Sequence, residues 1–338
     1  MTERKETAML KDYRIVFLKP RTAALIGGEF DEAVGAGEIF GRNVLSMIST
    51  GSERGGFTSE YDASVYPMQT GYSSVAQVVS VGEGVTGYKP GDLFYHNGYH
   101  TLYVKVKEED VIALPEGIMP EKALFGRFAA VSMTSMLHSQ AKPVDNVVVT
   151  GLGIVGLTGA QMLQNFGYRV YGIDPSKDRR EIAKRAGILQ VAECVDAWPK
   201  IKGDVATLYE CSGNEKALRA VIPYIRKGGE AFLVGVPWVK TSDWDAHALL
   251  YDIFYGFIKV QSGFEWSISR KGDEFHPHSN YSHIRMAMEL IADGRVKIVE
   301  DMYELHDPRD CTQVYQEILG SGMKTTSILF DWRNFQGE

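Results

Sequence analysis

The sequence predicts an α/β chain of two domains, a twisted, barrel-like antiparallel domain followed by a doubly wound parallel sheet. Three observations predict it. The first 125 residues carry β-type runs broken at short intervals by turn residues. From Asn146 onward, continuous apolar strands alternate with amphipathic helical stretches. The length, 338 residues, suits two domains.

Taken in order, YRIVFLK at 13–19 and EIFGRNVLSMIS at 38–49 read as strands. In TGYSSVAQVVSVGEGVTGYKPGD, apolar and polar residues alternate from Ser74 to Val81, and Gly82, Gly84, Gly87, Pro90 and Gly91 then mark turns. LYVKVKEEDVIALP at 102–115 closes the β-rich part, and EKALFGRFAAVSMTSMLHSQA, from Glu121, is helical up to Pro143. A buried strand from Val147 to Val149 runs through a glycine turn into a helix with Leu157, Ala160, Leu163 and Phe166 on one face. YRVYGID follows and ends in Asp174. Further strands are expected at 204–210, 229–236 and 258–264, with EKALRAVIPYIRKG helical between the first two. A helix around SHIRMAMELIADG stops at Gly294, and TTSILF is a final strand. The chain shows no internal repeat and no low-complexity segment.

The bulk numbers exclude several classes. A net charge of −7 provides no general basic field, so no nucleic-acid partner is expected. No run of 18 apolar residues exists and MTERKETAMLKDYR has no apolar core of a leader, so no membrane partner and a cytoplasmic protein are expected. Cys194, Cys211 and Cys311 are too few and too scattered for a disulfide framework, and none lies in the first 193 residues. Any chemistry done by the N-terminal part proceeds without thiolates.

Gly151-Leu-Gly153-Ile-Val-Gly156 matches G-x-G-x-x-G, follows a buried strand and opens a helix, and Asp174 sits 23 residues after Gly151. Gly151 permits the tight turn, Gly153 lets a pyrophosphate approach the backbone, and Gly156 lets helix and strand pack closely. Val155 and its neighbours at the helix N-terminus supply unpaired N–H groups for the phosphates. Asp174 is placed to bind adenosine ribose hydroxyls and would repel a 2′-phosphate, so NAD(H) is favoured over NADP(H). Arg179 and Arg180 lie close enough to relax the strictness of that preference, and Arg179 is a cofactor-binding candidate.

A β-rich domain, this dinucleotide fold and a return segment together resemble the medium-chain dehydrogenase/reductase superfamily. Val78 to Asp92, VVSVGEGVTGYKPGD, looks like that family's V-x-x-V-G-x-x-V-x-x-x-x-x-G-D signature. Glu210-Cys-Ser-Gly213 and Val234-Gly-Val236 resemble the loops lining the nicotinamide side, which implies cofactor roles for Ser212, Gly235 and Val236. The resemblance implies a Rossmann domain over 131–274 and a GroES-like β-barrel-type catalytic domain over 1–130 and 275–338. Zinc-dependent members carry C-G-[ST]-D and G-H-E; here the stretches read Thr50-Gly51-Ser52-Glu53 and Gly71-Tyr72-Ser73. The third-ligand region, Gly126-Arg127-Phe128, offers neither sulfur nor imidazole, and the structural zinc loop is absent. Zinc needs N, S or carboxylate ligands, so a zinc-free member with no metal ligands is expected. The pairing of an S-x-G-[ST]-E segment with G-Y-S-x-V is similar to the subgroup containing bacteriochlorophyllide a dehydrogenase and sugar or cyclitol dehydrogenase-like sequences.

Without a Lewis acid, hydride transfer needs hydrogen-bond donors at the developing alkoxide. Tyr72, Thr50 and Ser52 occupy the positions that would surround that oxygen, and Ser52 aligns with the family's proton-relay hydroxyl. Tyr72 is the expected acid/base, against the alternative of a packing aromatic. His96, in FYHNGYHT with His100, is a candidate substrate contact or proton relay, otherwise a satisfied loop histidine. Arg127 either binds substrate or pairs with an acid, and Glu53 is a further substrate-contact candidate. His276-Pro-His278 reads as an exposed loop.

The expected activity is zinc-independent, NAD(H)-dependent hydride transfer to or from a secondary alcohol or ketone of a sugar, polyol or cyclitol. Three alternatives stand beside it: a quinone or enoyl C=C reductase, an epimerase or eliminase oxidising its substrate transiently, and a non-catalytic nucleotide-binding protein. ALLYDIFYGFIKV, framed by Trp238, Trp244 and Trp266, reads as core and subunit interface, so a homodimer or homotetramer is expected.

Overall fold

The computed structural model describes residues 9–60, 64–320 and 325–337. Those within Met1–Leu124, Tyr303–Met323 and Ser327–Glu338 form one compact unit, and those within Phe125–Met302 and Lys324–Thr326 form a second.

In the first unit, β1 (Met9–Lys19) pairs antiparallel with β2 (Thr22–Asp31) and β4 (Met68–Gln69). A larger sheet is built on β3 (Glu38–Met47), β5 (Ser74–Val81), β6 (Leu93–His96), β7 (Tyr103–Lys107), β8 (Ile112–Ala113), β15 (Tyr303–His306) and β16 (Ser327–Asp331). Its order is β15-β16-β3-β5-β6-β8, with β7 also on β3. Three short helices, α1 (Thr50–Thr58), α2 (Pro120–Ala123) and the return helix α9 (Cys311–Leu319), accompany the sheets. Phe17, Phe57, Tyr315, Phe330 and Trp332 pack into one buried cluster that joins β1, α1, α9 and the last strand. Thr22–Asp31 gave no strand signal because Gly27 and Gly28 interrupt its alternation. The ladder to β1, from Met9↔Asp31 to Lys19↔Thr22, makes it a strand. LYVKVKEEDVIALP splits into β7 and β8 because Glu108–Asp110 turns as a 3₁₀ helix between them.

The second unit contains α3 (Phe125–His138), β9 (Asn146–Thr150), α4 (Ile154–Asn165), β10 (Arg169–Ile173), α5 (Lys177–Arg185) and β11 (Gln190–Ala192). It continues through β12 (Val205–Glu210), α6 (Glu215–Val221), β13 (Ile225–Leu233), α7 (Ala246–Gly256), β14 (Lys259–Ser262) and α8 (Asn280–Ala292). The strands form one parallel sheet in the order β11-β10-β9-β12-β13-β14. Every residue of β9 is buried, as expected of a central strand covered on both faces. The α6 helix is shorter than its sequence suggested: Pro223 interrupts the donors, and the chain is extended again from Ile225.

Two expectations need correction. The helix at 280–292 was placed with the first domain, yet it belongs to the second unit, and the chain returns at Tyr303 rather than near residue 275. Its buried face, with Ile284, Ala287 and Met288, lies against α3 so closely that a Cβ on Gly126 would stand 2.6 Å from Met288 Cγ. The stretch around α7 is core only in part: Ile258 is buried, with Trp244, Leu249 and Val260 packed against the same cluster, but no residue of α7 itself is buried, and Leu250 and Phe254 are 63% and 73% exposed. Among the described residues no helix is long and apolar enough to cross a membrane.

Candidate active site

The first unit gathers a set of hydroxyls where β3 runs into α1. Ser49 is the N-cap residue of α1, Thr50 its first helical residue, and Ser52 lies on the exposed side. Gly71, at φ +94°, turns the chain so that Tyr72, two residues before β5, lies half-buried beside them. Tyr72 Oη donates to Ser49 Oγ in a short hydrogen bond and lies 3.4 Å from Ser52 Oγ. The structure therefore brings together two of the predicted residues, Tyr72 and Ser52. The hydroxyl that takes the Tyr72 bond is that of Ser49, one position before the predicted Thr50. Ser49 escaped the sequence reading because it stands as the last residue of the strand expected over 38–49, ahead of a glycine-rich stretch that gives no helical signal.

Glu53 does not face a substrate. It is 4% exposed, and its carboxylate accepts from Ser49 N–H at 2.7 Å, Thr70 Oγ1 at 2.6 Å, Tyr315 Oη at 2.5 Å and His100 Nε2 at 3.1 Å. A buried carboxylate is tolerable when its lone pairs are filled in this way. Burial alone would push its pKa up, but the His100 charge and the bonds from His100, Thr70 and Tyr315 hold it below the usual value. The same burial and the adjacent Glu53 charge raise the Tyr315 phenol well above its ordinary value. His100 continues the network to Ser46 Oγ at 2.7 Å, which also accepts from Trp332 Nε1 at 2.9 Å. Glu53 is thus the hub that fixes the start of α1, and its predicted substrate contact is withdrawn.

His96 is also corrected. It is 2% exposed in β6, its Nε2 lies 2.8 Å from Asn43 Oδ1, and burial drives its pKa down to about 3. A ring that stays neutral across the physiological range and is committed to Asn43 is no proton relay. Arg127, predicted to bind substrate, is 1% exposed and forms a two-pronged ion pair with Glu265, its guanidinium carbon 5.5 Å from the centroid of the Trp266 ring. The alternative reading, pairing with an acid, describes it. His276 lies in an exposed loop and pairs with Asp273.

In the second unit, the cofactor candidates converge at the carboxyl ends of β9, β10, β12 and β13. The strand order reverses at β9, the point where parallel sheets open a crevice for a ligand. Gly151 has φ +78°, and a Cβ there would stand 2.8 Å from the Ser212 backbone; one on Gly156 would stand 1.9 Å from Gly151 O. Glycine is required at both. Gly153, the N-cap of α4, has no side chain to cap the helix, and Val155 is half-buried in the first turn. A Cβ on Gly153 would meet nothing nearer than Arg179 Nη1, at 3.8 Å, so the space over this turn is open and its N–H groups are available to a phosphate. The residues fit a dinucleotide.

Asp174 is 2% exposed and accepts from Leu152 N–H and Ser176 N–H, both at 2.8 Å, with Arg179 Nη1 at 3.7 Å. It ties the end of β10 to the glycine turn. Glu210 does the same from β12, accepting from the Ser212 hydroxyl, Ser212 N–H at 2.8 Å, Gly213 N–H at 3.0 Å and Thr150 Oγ1 at 3.2 Å. Burial nonetheless raises its pKa, against the pull of those bonds. Gly235 packs on the same loop, where a Cβ would stand 2.3 Å from Gly213 N, and Val236 is 44% exposed beside it.

Zinc is less well served. Among the described residues no group of three His, Cys, Asp or Glu side chains is arranged to hold a metal ion. The donors gathered at Tyr72 are hydroxyls, which do not fit a zinc.

A family model described as "Zinc-binding dehydrogenase" matches residues 155–263. D-arabitol-phosphate dehydrogenase of Enterococcus avium is 25% identical over 311 residues, 80% of this chain and 83% of that protein. L-threonine 3-dehydrogenase of Saccharopolyspora erythraea is 29% identical over 258 residues, 60% of this chain and 74% of that protein. The crystal structure of L-idonate 5-dehydrogenase from Escherichia coli superposes with a TM-score of 0.79 at 13% identity, covering 97% of this chain and 100% of that one. The glycine turn with its paired acids, the fold of each unit and these likenesses agree: the chain is similar to the medium-chain dehydrogenases/reductases and is an oxidoreductase.

Proposed function

We propose that this oxidoreductase uses NAD(H), without zinc, to interconvert a secondary alcohol and a ketone on a hydroxylated substrate such as a sugar, polyol or cyclitol. One observation carries the reading: the Tyr72 hydroxyl, in the stretch where zinc-dependent relatives have a histidine ligand, sits between the hydroxyls of Ser49 and Ser52. The named activities of the relatives support the substrate class. A bound nicotinamide supplies the hydride acceptor for oxidation and the hydride donor for reduction. Gly151, Gly153, Val155 and Gly156 would hold its pyrophosphate, Asp174 and Arg179 the adenosine ribose, and Ser212, Gly235 and Val236 the nicotinamide end.

Tyr72 takes the carbinol proton during oxidation and returns it during reduction, while Ser52, exposed beside it, donates to the substrate oxygen. A preorganised donor at a developing oxyanion is worth about 10²–10³ in rate, so two hydroxyls offset much of what a Lewis acid would contribute. An unperturbed phenol titrates near ~10, and hydrogen bonds donated to its ionised form favour that form. The Asp174 carboxylate favours NAD(H) by repelling a 2′-phosphate. The exposed apolar residues of α7 and the edge strand β14 support self-association as a dimer.

The test is turnover of a polyol, sugar-phosphate and cyclitol panel with NAD⁺ or NADP⁺ in the presence of a chelator. Activity with NAD⁺ that survives chelation and falls at least a hundredfold in Tyr72→Phe is expected. Near-normal turnover by that variant, or activity lost to the chelator and restored by zinc, overturns the reading.

A further inference from the structure

Ser49 breaks a local rule. It is the N-cap residue of α1, with extended backbone at φ −85° and ψ 92°, yet its side chain makes no capping bond. Serine is favoured at such positions because its hydroxyl accepts a helix N–H, a contribution of about 1 kcal/mol. Here half of a cap is present: Glu53 Oε1 accepts the Ser49 N–H at 2.7 Å, the bond a capping box makes from N3, supplied here from N4. The reciprocal half is missing because the hydroxyl is turned to Tyr72. The helix also needs the missing bond, since Gly51, Gly55 and Gly56 leave it with weak intrinsic preference. A hydroxyl withheld from its ordinary role, where local consistency is otherwise good, points to a function.

The surroundings make the placement rigid. The Ser49 amide is pinned by Glu53, and Glu53 is pinned in turn by Thr70, Tyr315 and His100. Ser49 is 6% exposed, Tyr72 half-buried and Ser52 exposed, so the phenol has one hydroxyl on its inner side and one on its outer side.

We infer that Ser49 is the positioning residue of the acid/base tyrosine: its hydroxyl accepts from the Tyr72 phenol and rotates to donate when the phenol is ionised. The inference rests on the role given to Tyr72 above. In ketone reduction a bound reduced nicotinamide would supply hydride to the carbonyl carbon; the Tyr72 O–H bond would break, its proton would go to the former carbonyl oxygen, and the bonding pair would stay on the phenolate. Ser49 and Ser52 would then donate to that phenolate. In oxidation the substrate hydroxyl proton would move to the Tyr72 phenolate, with a bound oxidised nicotinamide as the hydride acceptor. Ser49 never touches the substrate. It acts by stabilising the phenolate from the side that water does not reach.

The experiment reads Tyr72 directly. The full chain, loaded with NAD⁺, is titrated by ultraviolet tyrosinate difference spectroscopy against Tyr72→Phe, which isolates the Tyr72 transition among the other tyrosines. In Ser49→Ala the transition is expected to move up by about one pH unit or more, the size of one hydrogen bond to a charged group. Ser49→Thr, which keeps the hydroxyl, restores it. Ser49→Gly serves as a second hydroxyl-free variant, since glycine is tolerated at an N-cap. The pH at which kcat rises should move with the titration. An unshifted transition in both hydroxyl-free variants, or a shift that Ser49→Thr does not reverse, overturns the inference. Tyr72→Phe turnover tests the parent reading separately: low turnover with an unshifted Ser49→Ala titration leaves Tyr72 in its role and removes Ser49 from its own.

Discussion

Replacing Glu53 with Gln keeps the volume and removes the charge from the most connected carboxylate of the first unit. Four donors converge on it: Ser49 N–H, Thr70 Oγ1, Tyr315 Oη and His100 Nε2. An amide offers one oxygen, and the four donors are divided between both carboxylate oxygens, so at least one of them would face an NH₂ group that cannot accept. Each buried donor left unpaired costs about 1–3 kcal/mol, and removing one partner of a buried ion pair costs about 3–5 kcal/mol. The expected loss is therefore about 3–5 kcal/mol, carried by the first unit. Trp332 reports on it: it is the one tryptophan in the segments that form that unit, it is fully buried, and it donates to the Ser46 hydroxyl that also bonds His100. Urea unfolding followed by the red shift of its emission, in a variant whose other tryptophans are phenylalanine, gives the difference. The pH dependence has a definite sign. Because the folded-state pKa of Glu53 lies below its ordinary 4.5, the stabilisation is fully present above pH 4.5 and is lost as pH falls through the lowered folded value. Glu53→Gln should lack that acid-dependent component. A variant within about 1 kcal/mol of wild type, well short of the expected loss, or one with an unchanged acid limb, would refute the hub.

Other expectations follow from the same geometry. His96 is held neutral with a folded pKa of about 3 against 6.5 when unfolded, so it contributes stability above pH 6.5 that is lost as pH falls toward 3. His96→Gln should flatten that slope in acid unfolding curves and leave the kcat–pH profile unchanged; an altered kcat profile would return His96 to the proton path. Arg127→Met should destabilise the second unit by about 3–5 kcal/mol by stranding Glu265, with KM little changed; a large KM effect on a variant that folds normally would restore a substrate role. Asp174→Ala should weaken NADH binding and narrow the preference over NADPH in fluorescence titrations, and an unchanged ratio would remove Asp174 as the discriminator. Leu250→Glu with Phe254→Glu should yield monomers by light scattering if α7 forms the dimer contact; unchanged mass would place that contact elsewhere.

The parts of this protein legible in one dimension are those whose causes are local. The β9 strand, the Gly151 turn, the α4 helix and Asp174 lie within one continuous stretch, and burial on both faces of the sheet leaves an uninterrupted apolar run as its mark. The presence of Thr50 and Tyr72 in the stretches that resemble the family's ligand motifs is likewise a matter of residue type at a given spacing. What tertiary structure decided is which hydroxyl meets Tyr72, which acids are inward and which helices belong together. Ser49 and Tyr72 are 23 residues apart and Glu53 and Tyr315 are 262 apart, so their meeting depends on how β3 pairs with β5 and how the return segment packs. α1 left no periodic signal because Gly51, Gly55 and Gly56 carry no side chains to pattern, and the Glu53 network supplies what propensity does not. The Asn280–Ala292 helix shows its apolar face in the sequence, but only packing against α3 assigns it to the second unit. A residue's identity limits the bonds it can make; its partners are chosen by the long-range pairings that bring distant segments within reach.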